Sequence, residues 1–141
     1  MNIRQQLVST ALEWQRRFGV APAITSTLSE YDAAILVGCP EENYALYMQN
    51  RTAVARGADF IHDGKRYQVK ACRPANSGLR ARVWHVPKAK NYEWDYLIWI
   101  HYTPVYEICE AWCWSVGDYR KAFDSVTLLS PNHMRKGTRL K

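Results

Sequence analysis

Three polar residues in the stretch "GADFIHDGKRYQVKACRP", residues 57–74, have the types and spacing for chemistry on phosphate. Asp63-Gly64 is the preferred pair for a two-residue type I′ turn. With that turn His62 faces Lys65, Ile61 faces Arg66 and Phe60 faces Tyr67, so Asp59 falls opposite Gln68. Directly opposed side chains have Cβ atoms about 5 Å apart. Lys70 follows Gln68 by two residues and points to the same side. Asp59, Gln68 and Lys70 therefore converge on one face of a hairpin, and Phe60, Tyr67, Val69 and Ala71 form an apolar face behind them. An aspartate beside an amide oxygen can hold a hard cation such as Mg²⁺. Such a cation clamps phosphate and activates water, and a nearby lysine positions that water or offsets charge developing on phosphorus. The group suits phosphodiester hydrolysis. It would serve equally as the solvated side of an ordinary hairpin, although Ile61 on that side argues against full exposure.

Several elements must hold this hairpin. Residues 2–18 read as a helix with Asn2 as N-cap and Gly19 as stop. Ile3, Leu7, Ala11, Trp14 and Phe18 recur at helical spacing and predict its buried stripe. Glu13 points away from that stripe and reads as solvated. A second helix is expected over about residues 28–37, with Thr27 and Glu30 at capping-box spacing. "CPEENYALYMQN" suits either a helix starting at Pro40 or a strand. After the hairpin come a loop with a short strand near Val83–Val86, a central apolar strand "YEWDYLIWIHY", a further strand "VYEICEAWCWSV" and a helix "GDYRKAFDSV". Trp112 and Trp114 share one strand face, as core or as a dimer contact, with core favoured. The order predicts an α/β (α+β) domain over residues 1–130, with a small mixed sheet flanked by helices. Residues 131–141 read as a basic, mobile tail.

The 141 residues carry a net charge of +6, with six Trp and nine Tyr, which excludes general disorder. Eight Lys or Arg fall between residues 65 and 90 with no Asp or Glu among them. Arg66, Arg73, Arg80, Arg82, Lys88 and Lys90 in that run are candidate phosphate contacts. No apolar run approaches the roughly 18 residues of a membrane span, and no secretory signal is visible. The four cysteines lack framework spacing. Cys109 and Cys113, about 13 Å apart along a strand, cannot pair. Reduced cysteines fit a cytoplasmic protein. No histidine has triad-like spacing.

"GADFIHDGKRYQVKA" resembles the core motif of the PD-(D/E)XK nuclease superfamily, the restriction-endonuclease-like fold. In that family an Asp begins one hairpin strand, and an acidic residue, or Gln in some branches, stands two positions before a Lys on the next. Asp59, Gln68 and Lys70 match those positions. "NYEWDYLIWIHYTPVYEICEAWCW" is similar to the later sheet strands of small restriction-type endonucleases, and the resemblance covers roughly residues 25–120. Ala58 stands where the family usually has Pro, and Gln68 where it usually has Glu. A neutral oxygen is a weaker Mg²⁺ ligand than a carboxylate, and family members often add one from the preceding helix. The resemblance therefore implies Glu30 as a further ligand, with Asp32 as fallback. Glu30 has a competing role in the capping box with Thr27.

The resemblance implies a Mg²⁺-dependent DNA endonuclease of restriction or homing type, with Mn²⁺ as a possible substitute. Asp59, Gln68 and Glu30 would hold the metal and Lys70 would orient the water, leaving a 5′-phosphate. Cutting both strands of a duplex takes two sites, so a homodimer on double-stranded DNA is expected. The alternatives are a Holliday-junction resolvase and a non-catalytic nucleic-acid-binding protein of the same fold. Gln68 favours the latter.

Overall fold

Asp63 and Gly64 both adopt positive φ, 50° and 72°, as a type I′ turn requires. The turn joins β1 (Phe60–His62) to β2 (Lys65–Cys72), and the register is the expected one, Phe60 opposite Tyr67 and His62 opposite Lys65. In this computed structural model, which describes residues 1–51, 57–74 and 82–141, the hairpin forms one edge of a five-stranded mixed sheet. β2 runs parallel to β3 (Tyr96–Tyr102), which pairs antiparallel with β4 (Ile108–Ser115), and β4 with β5 (Thr138–Arg139). The strands lie in chain order with β3 central. Its Leu97–Ile100 run is buried on both faces, which is why it reads as continuously apolar.

Strand alternation feeds two cores. Phe60, Val69, Ile98, Ile100, Tyr102 and Ala111 face α1 (Ile3–Phe18), α2 (Thr25–Leu36) and α3 (Glu41–Asn50). Leu97, Trp99 and Trp114 face α4 (Val116–Phe123) and α5 (Pro131–Met134). The molecule is thus a mixed α+β domain with helices on both faces. Phe60 stacks on Tyr67 at 4.8 Å, and Tyr67 on Tyr96 at 5.5 Å, a ladder across three strands that pins their register.

Asn2 caps α1, Gln5 completes the capping box, and Gly19 closes the helix in the left-handed region. The buried face is not the expected one. Ala11 is fully buried, but Ile3, Leu7, Trp14 and Phe18 are exposed, while Val8 and Leu12 pack on the core. Arg4, Val8, Ala11, Leu12 and Gln15 form the docked stripe. Arg4 binds Asp32, and Gln15 accepts from Arg73. Two partnered polar residues on the inner face misled a reading that looked only for apolar periodicity. Helix α2 starts at Thr25, with no side-chain cap, so the Thr27–Glu30 capping box does not form. Glu30 lies in the second turn, with its own contacts.

Residues 131–141 are no appended tail. Pro131–Met134 is a helix capped by Ser130, and Met134 is fully buried. Leu140 N–H donates to Ala111 O at 2.8 Å and Ala111 N–H to Lys141 O at 3.1 Å, so the segment closes the edge of β4. The strand expected near Val83–Val86 reduces to one bridge between Val86 and Leu129. Trp114 is core, and half-buried Trp112 packs against the same cluster. All four cysteines are free. Among the described residues no helix is long and apolar enough to cross a membrane.

Candidate functional site

Strand β1 pairs only with the first three residues of β2. From Gln68 onward the outer edge of β2 has no strand neighbour among the described residues, and the chain just before β1 meets it in another way. Asp59 does so. Its N–H donates to Tyr67 O at 2.7 Å, and its Oδ2 accepts the Val69 N–H at 2.7 Å. The same oxygen accepts from Gln68 Nε2 at 3.0 Å. Gly57 aims this entry: at φ 75° its Cα passes the 91–93 segment so closely that a Cβ would meet Asn91 Oδ1 and Glu93 Cβ at 2.8 Å.

The uncovered edge is a cleft of about 270 Å³, lined by Ser26, Ser29, Glu30, Asp59, Gln68, Val69, Lys70, Ala71 and Pro87. Glu30, Asp59, Gln68 and Lys70 are thus brought to one place. Helix α2 leans its first turns against β2. Ser26 and Glu30, four apart, share the face that does so. Asp32 lies two residues beyond Glu30, about 200° around the helix, and points into the core instead. There it takes Arg4 Nε at 2.7 Å, Arg4 Nη2 at 2.8 Å and the Tyr102 hydroxyl at 2.6 Å. Its oxygens are committed, so the fallback role of Asp32 is corrected to a structural ion pair.

The electrostatics set Glu30 and Asp59 apart from other carboxylates. The two carboxyls line the same cleft, close enough for the charge of Asp59 to act on Glu30. Burial, and then the negative charge of Asp59, push the Glu30 pKa up to about 7, against the pull of Arg51. Burial also raises Asp59, opposed by the Val69 N–H, Lys70, Glu30 and Arg51. Without a cation, protonation of Glu30 relieves its repulsion from Asp59. The Tyr47 hydroxyl is buried without a partner among the described residues; burial raises its pKa first, and both carboxylates add to that. Glu13 and Glu110 show the contrast: arginine partners hold each at about 2.

A raised carboxyl pKa means the folded state binds the extra proton. Its stabilising effect is complete below pH 4.5, the ordinary Glu value, and is lost as pH rises through about 7. In EDTA, wild type should therefore lose stability relative to Glu30→Gln between pH 5 and pH 8. The loss should be on the order of 2 kcal/mol after allowance for solvent screening. Thermal melts at both pH values check this, and equal pH slopes for the two proteins would remove the pairing.

The donor set fits a hard cation: two carboxylates that repel each other, and the Gln68 Oε1, which accepts from no described residue while its amide nitrogen binds Asp59. Among the described residues no group of three or more His, Cys, Asp or Glu side chains could hold a metal.

The basic run divides when its partners are seen. Arg73 lies 4.1 Å from the Tyr106 ring centre and donates to Pro104 O and Gln15 Oε1. Lys88 donates to Asp124 O and Val126 O behind α4. Arg66 pairs with Asp95. Arg73 and Lys88 thus have partners within the fold, beside the phosphate contacts expected of them. Arg82 and Lys90 are exposed, and Arg80 lies outside the described residues. Ile61, expected to mark a covered face, is 41% exposed.

Reading the sequence missed Ser26, Ser29, Pro87 and Arg51. The Ser26–Glu30 spacing would have found the first, had the helix been drawn from Thr25. Arg51 acts across the fold and leaves no local pattern. No protein-family model matches this chain, and no curated protein matches it.

Proposed function

We propose that this chain is a Mg²⁺-dependent DNA endonuclease on a restriction-endonuclease-like core, hydrolysing phosphodiester bonds in the cleft between α2 and β2. One observation carries the reading: Glu30 and Asp59, from elements far apart in sequence, meet in a cleft that raises the pKa of both. Half-buried carboxylates that repel are costly unless a cation or proton joins them. Asp59 and Glu30 would hold the ion, with Gln68 Oε1 as neutral ligand, and Mn²⁺ would substitute for Mg²⁺. A bound divalent cation supplies Lewis-acid polarisation of phosphoryl oxygen and a more acidic water.

The chain's own residues supply the rest. Lys70, on the face of Gln68 and lining the same cleft, orients the attacking water and offsets charge developing on the phosphoryl oxygens. The water oxygen bonds to phosphorus as the bond to the 3′ oxygen breaks. The 3′ oxygen takes up a proton and the 5′ side keeps the phosphate. Exposed Arg82 and Lys90 track the DNA backbone. A homodimer places one such site on each strand.

A second reading, a nucleic-acid-binding protein of this fold without catalysis, rests on the Gln68 Nε2 bond to Asp59, which partly satisfies the carboxylate without a cation. Supercoiled plasmid separates the two. Incubated with purified protein, it should be nicked or linearised with Mg²⁺ and stay intact with EDTA. DNA binding with no nicking in either Mg²⁺ or Mn²⁺ would establish the second reading.

A further inference from the structure

We propose that Trp84, backed by Arg82, is a base-stacking platform beside the cleft, and that the DNA engaged there is a duplex with a locally unpaired segment at the cleft, such as a flap or a junction. The identity of the cleft here rests on the nuclease reading.

Trp84 is 67% exposed, the most exposed of the six tryptophans. The other strongly exposed one, Trp14, packs on Phe18 with ring centres 4.7 Å apart. Trp84 has a cation instead: the Arg82 guanidinium lies 5.8 Å from its ring centre. This pairing presents an aromatic face with positive charge beside it, the combination that binds a base and its phosphate together.

The position of Trp84 is fixed by the residues after it. His85 O accepts from Cys72 Sγ at 3.5 Å, which holds the chain at the end of β2. Val86 is buried and bridges to Leu129. Pro87 lines the cleft with Asp59, Gln68 and Lys70. Lys88 donates to the carbonyls of Asp124 and Val126, and Ala89 N–H donates to the Tyr119 hydroxyl at 3.0 Å. The exposed indole therefore sits on an anchored segment, three residues from the cleft wall. Three residues of extended chain span at most about 10 Å, a reach of about one or two nucleotides from a phosphate in the cleft.

That placement selects the substrate. In a duplex both faces of each base are covered by its neighbours, and an indole at this distance has nothing to stack on. An unpaired base offers a free face, and aromatic stacking on it is tolerant of sequence.

The test uses fluorescent oligonucleotides in EDTA, so that binding is read without cleavage. The probes are oligo-dT, a fully paired hairpin, and the same hairpin with a single-stranded flap. Wild type should bind oligo-dT and the flap more tightly than the paired hairpin. Trp84→Ala should weaken oligo-dT and flap binding about tenfold and leave paired-hairpin binding nearly unchanged. Trp84→Phe should recover most of the loss, and circular dichroism should match wild type in both variants. A preference of wild type for the paired hairpin, or an equal effect of Trp84→Ala on all three probes, would overturn the platform. Cleavage of the same probes in Mg²⁺ is scored separately. Cleavage with no Trp84 effect on binding sinks the platform alone. Trp84-dependent binding with no cleavage of any probe sinks the nuclease reading alone.

Discussion

Asp59→Asn should leave the protein folded and reduce Mg²⁺-dependent cleavage about 10³-fold, the scale of losing a group that stabilises transition-state charge. The substitution keeps the shape of the side chain, and the Asn Oδ1 can still accept the Val69 N–H that Asp59 takes at 2.7 Å. What is lost is the charge. With it go the attraction for a divalent cation and the repulsion that helps to lift Glu30. The stability of Asp59→Asn in EDTA at pH 8 should therefore equal or exceed that of wild type. Lys70→Ala should lower cleavage about 10²-fold or more while Mg²⁺ binding, followed by calorimetry, survives. Near-normal cutting by both variants would sink the assignment of the cleft as the reaction site. An unfolded Asp59→Asn protein would make Asp59 a structural residue.

The second large effect concerns stability. Asp32→Ala should cost about 3 kcal/mol, because it leaves the buried Tyr102 hydroxyl and the half-buried Arg4 without their carboxylate. Arg4 makes a two-pronged pair with Asp32 and also donates to Tyr106 O at 2.9 Å, while the Tyr102 hydroxyl donates to Asp32 from the central strand. Three elements and the loop after β3 are joined there. Tyr102→Phe, which removes one donor and leaves the ion pair, should cost only about 1 kcal/mol. Urea denaturation measures both. The DNA-cutting rate of folded Asp32→Ala protein should stay close to wild type, since the residue faces away from the cleft. A drop comparable to that of Asp59→Asn would return Asp32 to the reaction.

How much of this was legible in the sequence depends on how local each contact is. The hairpin register followed from two residues, Asp63 and Gly64, because their backbone conformation admits few pairings. The caps of α1 were legible for the same reason: Asn2, Gln5 and Gly19 act within a turn of the chain. The docked face of α1 was not, since Arg4 and Gln15 have partners at Asp32 and Arg73, far along the chain. Charge patterning was incomplete in the same way between residues 65 and 90. Those residues lack acidic neighbours in sequence but find Asp95, the end of α4 and the Tyr106 ring in space. The start of α2 was misplaced because a capping-box spacing can occur without a helix end to cap. Its first turns are held by packing, and that error hid Ser26 from the site. Glu30 was named by resemblance to a family rather than by geometry. Its contact with Asp59 is tertiary, and no spacing along the chain encodes it.

The hairpin also bears on the order in which the site is assembled. Asp59, Gln68 and Lys70 come together when a two-residue turn closes, an event on the order of microseconds for a hairpin. Glu30 arrives only when α2 docks on β2. Where that docking follows the folding transition state, the two mutually repelling carboxylates are joined late. Interactions absent from the folding transition state act on the unfolding rate and hardly on the folding rate. A cation or a proton shared between Glu30 and Asp59 would accordingly prolong the life of the folded protein without hastening its formation.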